Sequence, residues 1–419
     1  MTSSPVWHPF TQHGLEQQFP EIVRSEGAWL ETRDGQRIFD GISSWWVITH
    51  RHRHPKIIEA IRNQAERLDQ VIFAGLTHEP AEATARALLD MVPAGLAHVF
   101  FSDSGSTAVE VGLKMALGYW RNIGQSRTRV LALEHAYHGD TVGTMSAGAR
   151  GVFNAPYEPL LFDVGRIPFP LAGRQQDTFD ALEAECRTGA VAAFICEPLV
   201  LGAGGMLLYD AATLQEMQRI CAAYGVLFIA DEVMTGFGRT GTAFACEQAG
   251  FTPDILCLAK GLTGGSIPLA VTLCTSAIFQ AHLSEDRARM FFHSSSFTAN
   301  PIACAAAVAN LTIWRDEPVL DRVKKIAEAQ ERGLAALEAT ERFENLRRLG
   351  TIAAAEIKGG DSGYLNDISL RLRAALLRRG VLLRPLGNTL YVMPPYCATD
   401  DDLDAVYAHI EDAIDEVGR

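Results

Sequence analysis

Short runs dominated by apolar residues recur through the middle of the chain, and amphipathic stretches separate them. They are Arg129-Val-Leu-Ala-Leu133, Ala190-Val-Ala-Ala-Phe-Ile195, Val226-Leu-Phe-Ile-Ala230, Ile255-Leu-Cys-Leu-Ala259 and Leu269-Ala-Val-Thr-Leu273, with Val99-Phe-Phe101 as a shorter forerunner. A run without a polar face reads as a strand buried on both sides, and such strands between helices signify a mostly parallel sheet. Upstream, residues 55–68 form an amphipathic helix with Ile57, Ile58, Ile61 and Ala65 on one face, and residues 81–91 a second helix. Downstream, an Ala-rich and buried helix over 300–314 breaks at Asp316-Glu-Pro318 and resumes as a charged amphipathic helix over 319–341. Near the start, two short strands meet at Asp34-Gly35, a favourable hairpin turn. The pattern predicts an α/β fold. A large domain, 51–315, holds the mostly parallel central sheet, and a smaller α+β domain combines the N-terminal segment 1–50 with 316–419.

Composition agrees with this picture and removes several function classes. At 419 residues the chain exceeds what one simple core organises, so two domains are expected. A net charge of −13 with no basic block argues against nucleic-acid binding. No apolar run approaches the roughly 18 residues a membrane span requires. The first ten residues lack the basic start and apolar core of a signal peptide, which points to the cytoplasm. The eight cysteines form no Cys-x-x-Cys pair and read as small buried hydrophobes in a reducing compartment. His50, His52 and His54 alternate with Arg51 and Arg53, whose charges would repel a metal cation; the segment reads as solvated or as a substrate edge, and no metal is expected.

In sheets of this kind ligands sit beyond the carboxyl ends of the strands, so the residue ending each run carries the chemistry. One run ends at Lys260, and Gly261, Gly264 and Gly265 open space around its amine. A lone lysine there is most simply one that snorkels to water. Another run leads into Asp231, which alone reads as a helix cap or turn residue. Together they suit pyridoxal phosphate: a carboxylate to keep a pyridine nitrogen protonated and a desolvated amine to hold an aldehyde. Ser102-Asp-Ser-Gly-Ser106 precedes a helix, so Gly105 and Ser106 offer an anion site, although ordinary capping explains the stretch equally well. Tyr137, in Glu134-His-Ala-Tyr-His-Gly-Asp140, could stack on a flat ring or simply cover a loop. Ser294-Ser-Ser296 is a further hydroxyl cluster suited to phosphate.

With these residues assembled, the chain resembles the class III, fold-type I pyridoxal-phosphate aminotransferases over nearly its whole length. The marks are Asp231-Glu-Val233, Gly236-Phe-Gly-Arg-Thr-Gly241 and Leu258-Ala-Lys-Gly-Leu-Thr-Gly-Gly265. Within that class it most closely resembles the adenosylmethionine-8-amino-7-oxononanoate aminotransferases of biotin biosynthesis, the diaminopelargonic acid synthases. The marks here are Trp7-His-Pro-Phe-Thr11, Ser43-Ser-Trp-Trp46, Asp103-Ser-Gly-Ser106, Tyr137-His-Gly-Asp-Thr141, Gly202-Ala-Gly-Gly-Met206, Arg384-Pro-Leu-Gly387 and Tyr391-Val-Met-Pro-Pro-Tyr396.

The resemblance implies a homodimer with shared active sites and pyridoxal 5′-phosphate as cofactor. Lys260 would carry the cofactor and shuttle protons, Asp231 would pair with the pyridine nitrogen, and Tyr137 would stack on the ring. Gly105 and Ser106 would hold the phosphate from their own subunit, and Ser295 and Ser296 from the other. Phe10, Trp45, Trp46, Tyr137, Lys260, Ser294 and Arg384 would line the substrate pocket, with Arg384 gripping a carboxylate. The implied reaction takes an amino group from S-adenosylmethionine to 8-amino-7-oxononanoate in the cytoplasm. An ω-amino-acid or diamine transaminase using pyruvate or 2-oxoglutarate is the alternative. Three positions depart from the family pattern: Phe10 where many relatives have tyrosine, Ser294-Ser-Ser296 where many have Gly-Pro-Thr, and Arg51 in place of a common glycine.

Overall fold

In the computed structural model, which describes residues 5–15, 19–359 and 363–418, all five long apolar runs are strands of one seven-stranded sheet. Their order across the sheet is Leu96–Ser102, Ala270–Thr275, Ile255–Leu258, Leu227–Asp231, Val191–Cys196, Arg129–Leu133 and Gly165–Ile167. The last five run parallel. Ala270–Thr275 is antiparallel to both of its neighbours. The link from Leu258 to Ala270, residues 259–269, carries a four-residue 3-10 turn, Lys260–Thr263, in place of the crossover helix that usually returns a chain to a parallel position. Gly165–Ile167, three residues with Arg166 at the centre, was beyond what hydrophobic pattern predicts. The expected 99–101 strand extends over Leu96–Ser102.

Burial explains the unbroken apolar runs: every residue of Val191–Cys196 and of Ile255–Leu258 has zero exposure. One face of the sheet is covered by the helix Gly105–Asn122, which buries Ala108, Val109, Val111 and Ala116 against it. The expected helices are present with shifted ends, at Pro55–Ala65, Glu79–Leu89, Pro301–Asp316 and Val319–Ala339. The Ala-rich Pro301–Asp316 helix is flanked by the first two, and its small side chains permit that close packing.

The hairpin Trp29–Thr32/Arg37–Asp40 turns at Asp34-Gly35, with Gly35 at φ +87°. Its second strand then pairs in parallel with Val381–Leu382, so the N-terminal segment joins the C-terminal part of the chain. A second sheet, Phe343–Leu349, Ile352–Ile357 and Thr389–Val392, completes that region. One consequence is functional: the Ser43–Trp46 segment is tied to the Tyr391–Met393 segment. Trp46 Nε1 donates to Tyr391 Oη at 3.0 Å and Ser43 Oγ to the Met393 carbonyl at 2.7 Å.

The histidines of the histidine-arginine segment are not solvated, contrary to the first of its two sequence readings. His50, His52 and His54 are only 3%, 7% and 8% exposed. The segment bends and turns, with Arg53 at φ +53° and exposed while the three histidines are buried. His50 Nε2 bonds Asn310 Oδ1 at 2.9 Å, and His52 Nε2 bonds Asp40 Oδ2 at 2.8 Å. Burial pushes the His50 imidazolium down to about 4, so this ring is neutral at physiological pH. The eight cysteines are all free and seven are buried. Among the described residues, no cluster of three or more potential metal ligands occurs and no helix is long and apolar enough to cross a membrane.

Candidate active site

A cavity of about 450 Å³ opens at the carboxyl ends of the parallel strands, and Lys260, Asp231, Tyr137, Gly105, Ser106 and Trp46 line it. Lys260 follows the strand Ile255–Leu258 and begins the 3-10 turn Lys260–Thr263 with φ +44°. Left-handed backbone at a non-glycine residue needs outside support. Asn310 Nδ2 supplies it by donating to the carbonyls of Gly261 and Leu262, both at 3.0 Å. Gly264 and Gly265, at φ +65° and +87°, then turn the chain back beneath Val47. The amine lies 4.8 Å from the Trp46 ring centroid. Burial lowers its pKa to about 8; the Asp231 and Glu197 carboxylates pull it back upward, and the Arg239 charge adds to the depression.

Asp231 is the last residue of the strand Leu227–Asp231 and is buried. Its Oδ2 lies 2.6 Å from His138 Nδ1, and its Oδ1 accepts the Val233 amide at 3.2 Å. A carboxylate oxygen accepts, so His138 carries its proton on Nδ1. These contacts leave the carboxylate little rotational freedom. Opposite it, Ser104 caps the helix Gly105–Asn122, its Oγ accepting the Thr107 amide at 3.2 Å. Gly105 and Ser106, whose first-turn amides have no helical acceptors, line the cavity and suit an anion. Only glycine fits at 105, because a Cβ there would lie 2.5 Å from Val233 Cγ1.

Glu197 joins these parts. Its Oε1 accepts the Tyr137 amide and its Oε2 the Gly202 amide, both at 2.9 Å, so one carboxylate fixes the aromatic loop and the Gly202 loop together. Burial is the main reason its pKa is pushed up to about 7.

A second cavity of about 680 Å³ lies on the far side of the residue 137–140 loop, with Phe10, Asp140, Phe153, Tyr364 and Arg384 in its wall. The Arg384 guanidinium stacks 4.8 Å from the Trp45 ring centroid and 5.9 Å from that of Phe10. Phe10 and Trp45 meet edge to face at 5.6 Å. The tryptophans are carried by a left-handed turn: Ser43, Ser44, Trp45 and Trp46 have φ of 51°, 46°, 71° and 72°. Asp40 holds it, its carboxylate accepting the Ser44 amide at 2.8 Å and the Ser44 hydroxyl at 2.7 Å. Arg239, buried and without a carboxylate partner among the described residues, donates to the carbonyls of Trp46, Ile48 and Pro394.

Lys260, Asp231, Tyr137, Gly105, Ser106 and Trp46 thus meet in one cavity, while Phe10, Trp45 and Arg384 cluster beside the second. Ser294, Ser295 and Ser296 line neither; they sit on a surface segment between exposed Phe292 and Phe297. His138, Glu197, Arg239 and Asp40 were missed. Glu197 was within reach of the strand-end rule, since it directly follows the strand Val191–Cys196.

The family model described as Aminotransferase class-III matches residues 11–414. The chain is 48% identical over 426 residues to the adenosylmethionine-8-amino-7-oxononanoate aminotransferase of Synechococcus elongatus, covering 100% of both. The Geobacter sulfurreducens enzyme of the same name is 38% identical, with 98% of this chain and 96% of that one covered. Among solved structures, the adenosylmethionine-8-amino-7-oxononanoate aminotransferase of Methanocaldococcus jannaschii superposes with a TM-score of 0.93 at 33% identity, covering 97% of each chain. A PLP-bound amine transaminase from an uncultivated Pseudomonas species superposes with a TM-score of 0.93 at 31% identity, covering 100% of each.

Proposed function

The chain belongs to the class-III aminotransferases, and from that premise we infer that it transfers an amino group from S-adenosylmethionine to 8-amino-7-oxononanoate, giving 7,8-diaminononanoate for biotin synthesis. Full-length relatives named for this reaction support it, and the cofactor of the class is pyridoxal phosphate. The observation that carries the chemistry is the Lys260 amine, with its depressed pKa, in one cavity with a histidine-backed Asp231 and a glycine-opened helix N-terminus. These groups fit the cofactor's three demands: an amine for its aldehyde, a carboxylate for its ring nitrogen, and amides for its phosphate.

When bound, pyridoxal phosphate supplies an electron sink that acidifies the substrate's C–H bond, and it carries the amino group between the two halves of the reaction. Lys260 Nζ, whose pKa burial lowers to about 8, would hold the cofactor's aldehyde and, when free, would take up and give back the proton of the donor's C–H bond. Asp231, clamped by His138 Nδ1 and the Val233 amide, presents a fixed negative charge to the ring nitrogen. Gly105 and Ser106 would hold the phosphate, and Tyr137 would cover the ring. Trp45 and Trp46 flank the alkyl chain of the amino acceptor, and Arg384 binds its carboxylate.

The enzyme is a homodimer in which Ser295 and Ser296 complete the phosphate site of the opposite subunit and Ser294 reaches its substrate pocket. Two observations support this: these serines lie outside their own chain's cavities, and the flanking Phe292 and Phe297 are 63% and 61% exposed, an apolar surface that a second copy would cover. Eight free cysteines suit a reducing cytoplasm.

The test is spectroscopic. S-adenosylmethionine alone should convert the cofactor to its amino form, and 8-amino-7-oxononanoate should then restore the original spectrum with formation of 7,8-diaminononanoate. Lys260→Ala should do neither. Conversion by ω-amino acids with pyruvate but not by S-adenosylmethionine would replace this function with the amine-transaminase alternative.

A further inference from the structure

The second cavity holds a cation that the reaction as described does not use. Arg373 lies on the helix Asp367–Arg378, one turn beyond Leu370, and both line the cavity that Arg384 faces. Its Nε is shielded from solvent and donates to nothing. Beyond its stacking on Trp45 and Phe10, Arg384 makes only two long hydrogen bonds among the described residues, to the Phe10 carbonyl at 3.4 Å and to Tyr364 Oη at 3.5 Å. Among the described residues neither guanidinium pairs with a carboxylate, although Asp140 and Asp367 also border the cavity. Burial and the Arg384 charge both weigh against protonated Arg373, whose pKa is lowered. Two mutually repelling cations facing one apolar sleeve form a site that an anion would relieve. Phe10, Leu15, Phe153 and Leu370 supply the sleeve.

We propose that Arg373 and Arg384 form a two-guanidinium end to the acceptor site, and that Arg373 sets preference for alkyl chains ending in a carboxylate. This rests on the transamination proposed above for its natural ligand, but not for its chemistry. An anion seated between the two guanidiniums takes donors from both and cancels their repulsion, while the apolar wall covers its methylenes. A neutral end group of the same length gains only the second term.

Calorimetric titration of the pyridoxal-phosphate-loaded enzyme with octanoate and octanamide tests this. Wild type should bind octanoate more tightly. Arg373→Gln should weaken octanoate about tenfold and leave octanamide unchanged, and Arg373→Lys should keep most of the octanoate affinity. The Km for 8-amino-7-oxononanoate should rise in Arg373→Gln by a similar factor with kcat little altered. Unchanged octanoate binding in Arg373→Gln, equal loss of octanamide, or a wild type indifferent to the end group would each overturn the proposal. If octanoate behaves as expected but wild type does not turn over 8-amino-7-oxononanoate, the anion site stands and the assigned substrate falls.

Discussion

A lysine amine does chemistry only when it is unprotonated, and the surroundings of Lys260 set how often that is. With its pKa near 8, about one amine in ten is neutral at pH 7, against about one in three thousand for a free lysine. Cofactor capture by the cofactor-free protein should therefore accelerate about tenfold per pH unit up to about 8 and level off above it, as stopped-flow absorbance would record. Glu197 raises that pKa through its charge. Glu197→Gln should therefore move the break in the same profile to lower pH, and an unmoved break would show that the carboxylate is not charged when capture occurs. Gly105 works by what it lacks. Gly105→Ala drives a methyl against Val233, which should cost about 1–3 kcal/mol of stability and weaken cofactor binding more than tenfold by equilibrium dialysis.

Four consecutive residues in left-handed conformation, none of them glycine, are costly: roughly 1–2 kcal/mol each for L-residues. The Ser43–Trp46 turn persists because neighbouring elements hold it at several points. Asp40 grips Ser44 twice and is itself bonded to His52, Ser43 is tied to Met393, and Arg239 holds the carbonyls of Trp46 and Ile48. Asp40→Ala removes three of these bonds at once and should lower stability by about 3 kcal/mol in denaturant titrations. Ser44→Gly loses one hydroxyl bond but relaxes a positive φ, so its effect should stay within about 1 kcal/mol. Near-equal losses in the two variants would mean that the turn is held by something other than Asp40. The element explains how two adjacent tryptophans take different duties: Trp46 lies under the Lys260 amine, and Trp45 stacks on Arg384.

At the scale of the molecule, the dimer proposed above makes a quantitative expectation. On that proposal Lys260→Ala should disable a subunit's own site, whereas Ser295→Ala with Ser296→Ala should disable its neighbour's. Mixing the two inactive proteins under exchange conditions should recover roughly a quarter of wild-type activity, because half the dimers would be mixed and each would hold one intact site. No recovery, with exchange confirmed by mass, would place the serines in their own subunit's site or in none.

Much of this protein was determined by local pattern. The five long strands, the break before Val319 and the hairpin at Asp34-Gly35 follow from apolar runs, proline and turn chemistry, which act over a few residues. Lys260 and Asp231 were legible as strand-end residues, and the family motifs around them assigned their partners. Tertiary structure decided the rest. The Leu258–Ala270 link, without a crossover helix, leads into the antiparallel strand, and inward burial packs the three histidines of an apparently solvated His-Arg segment. Glu197 and His138 acquire their roles only through contacts across the sheet, with residues 60 and 93 positions apart in the chain. Nothing local in Ser-Ser-Trp-Trp calls for a left-handed turn. That conformation exists because Asp40, four residues upstream of Ser44, and the distant Arg239 and Met393 hold it together, and no periodicity in a sequence records such a convergence.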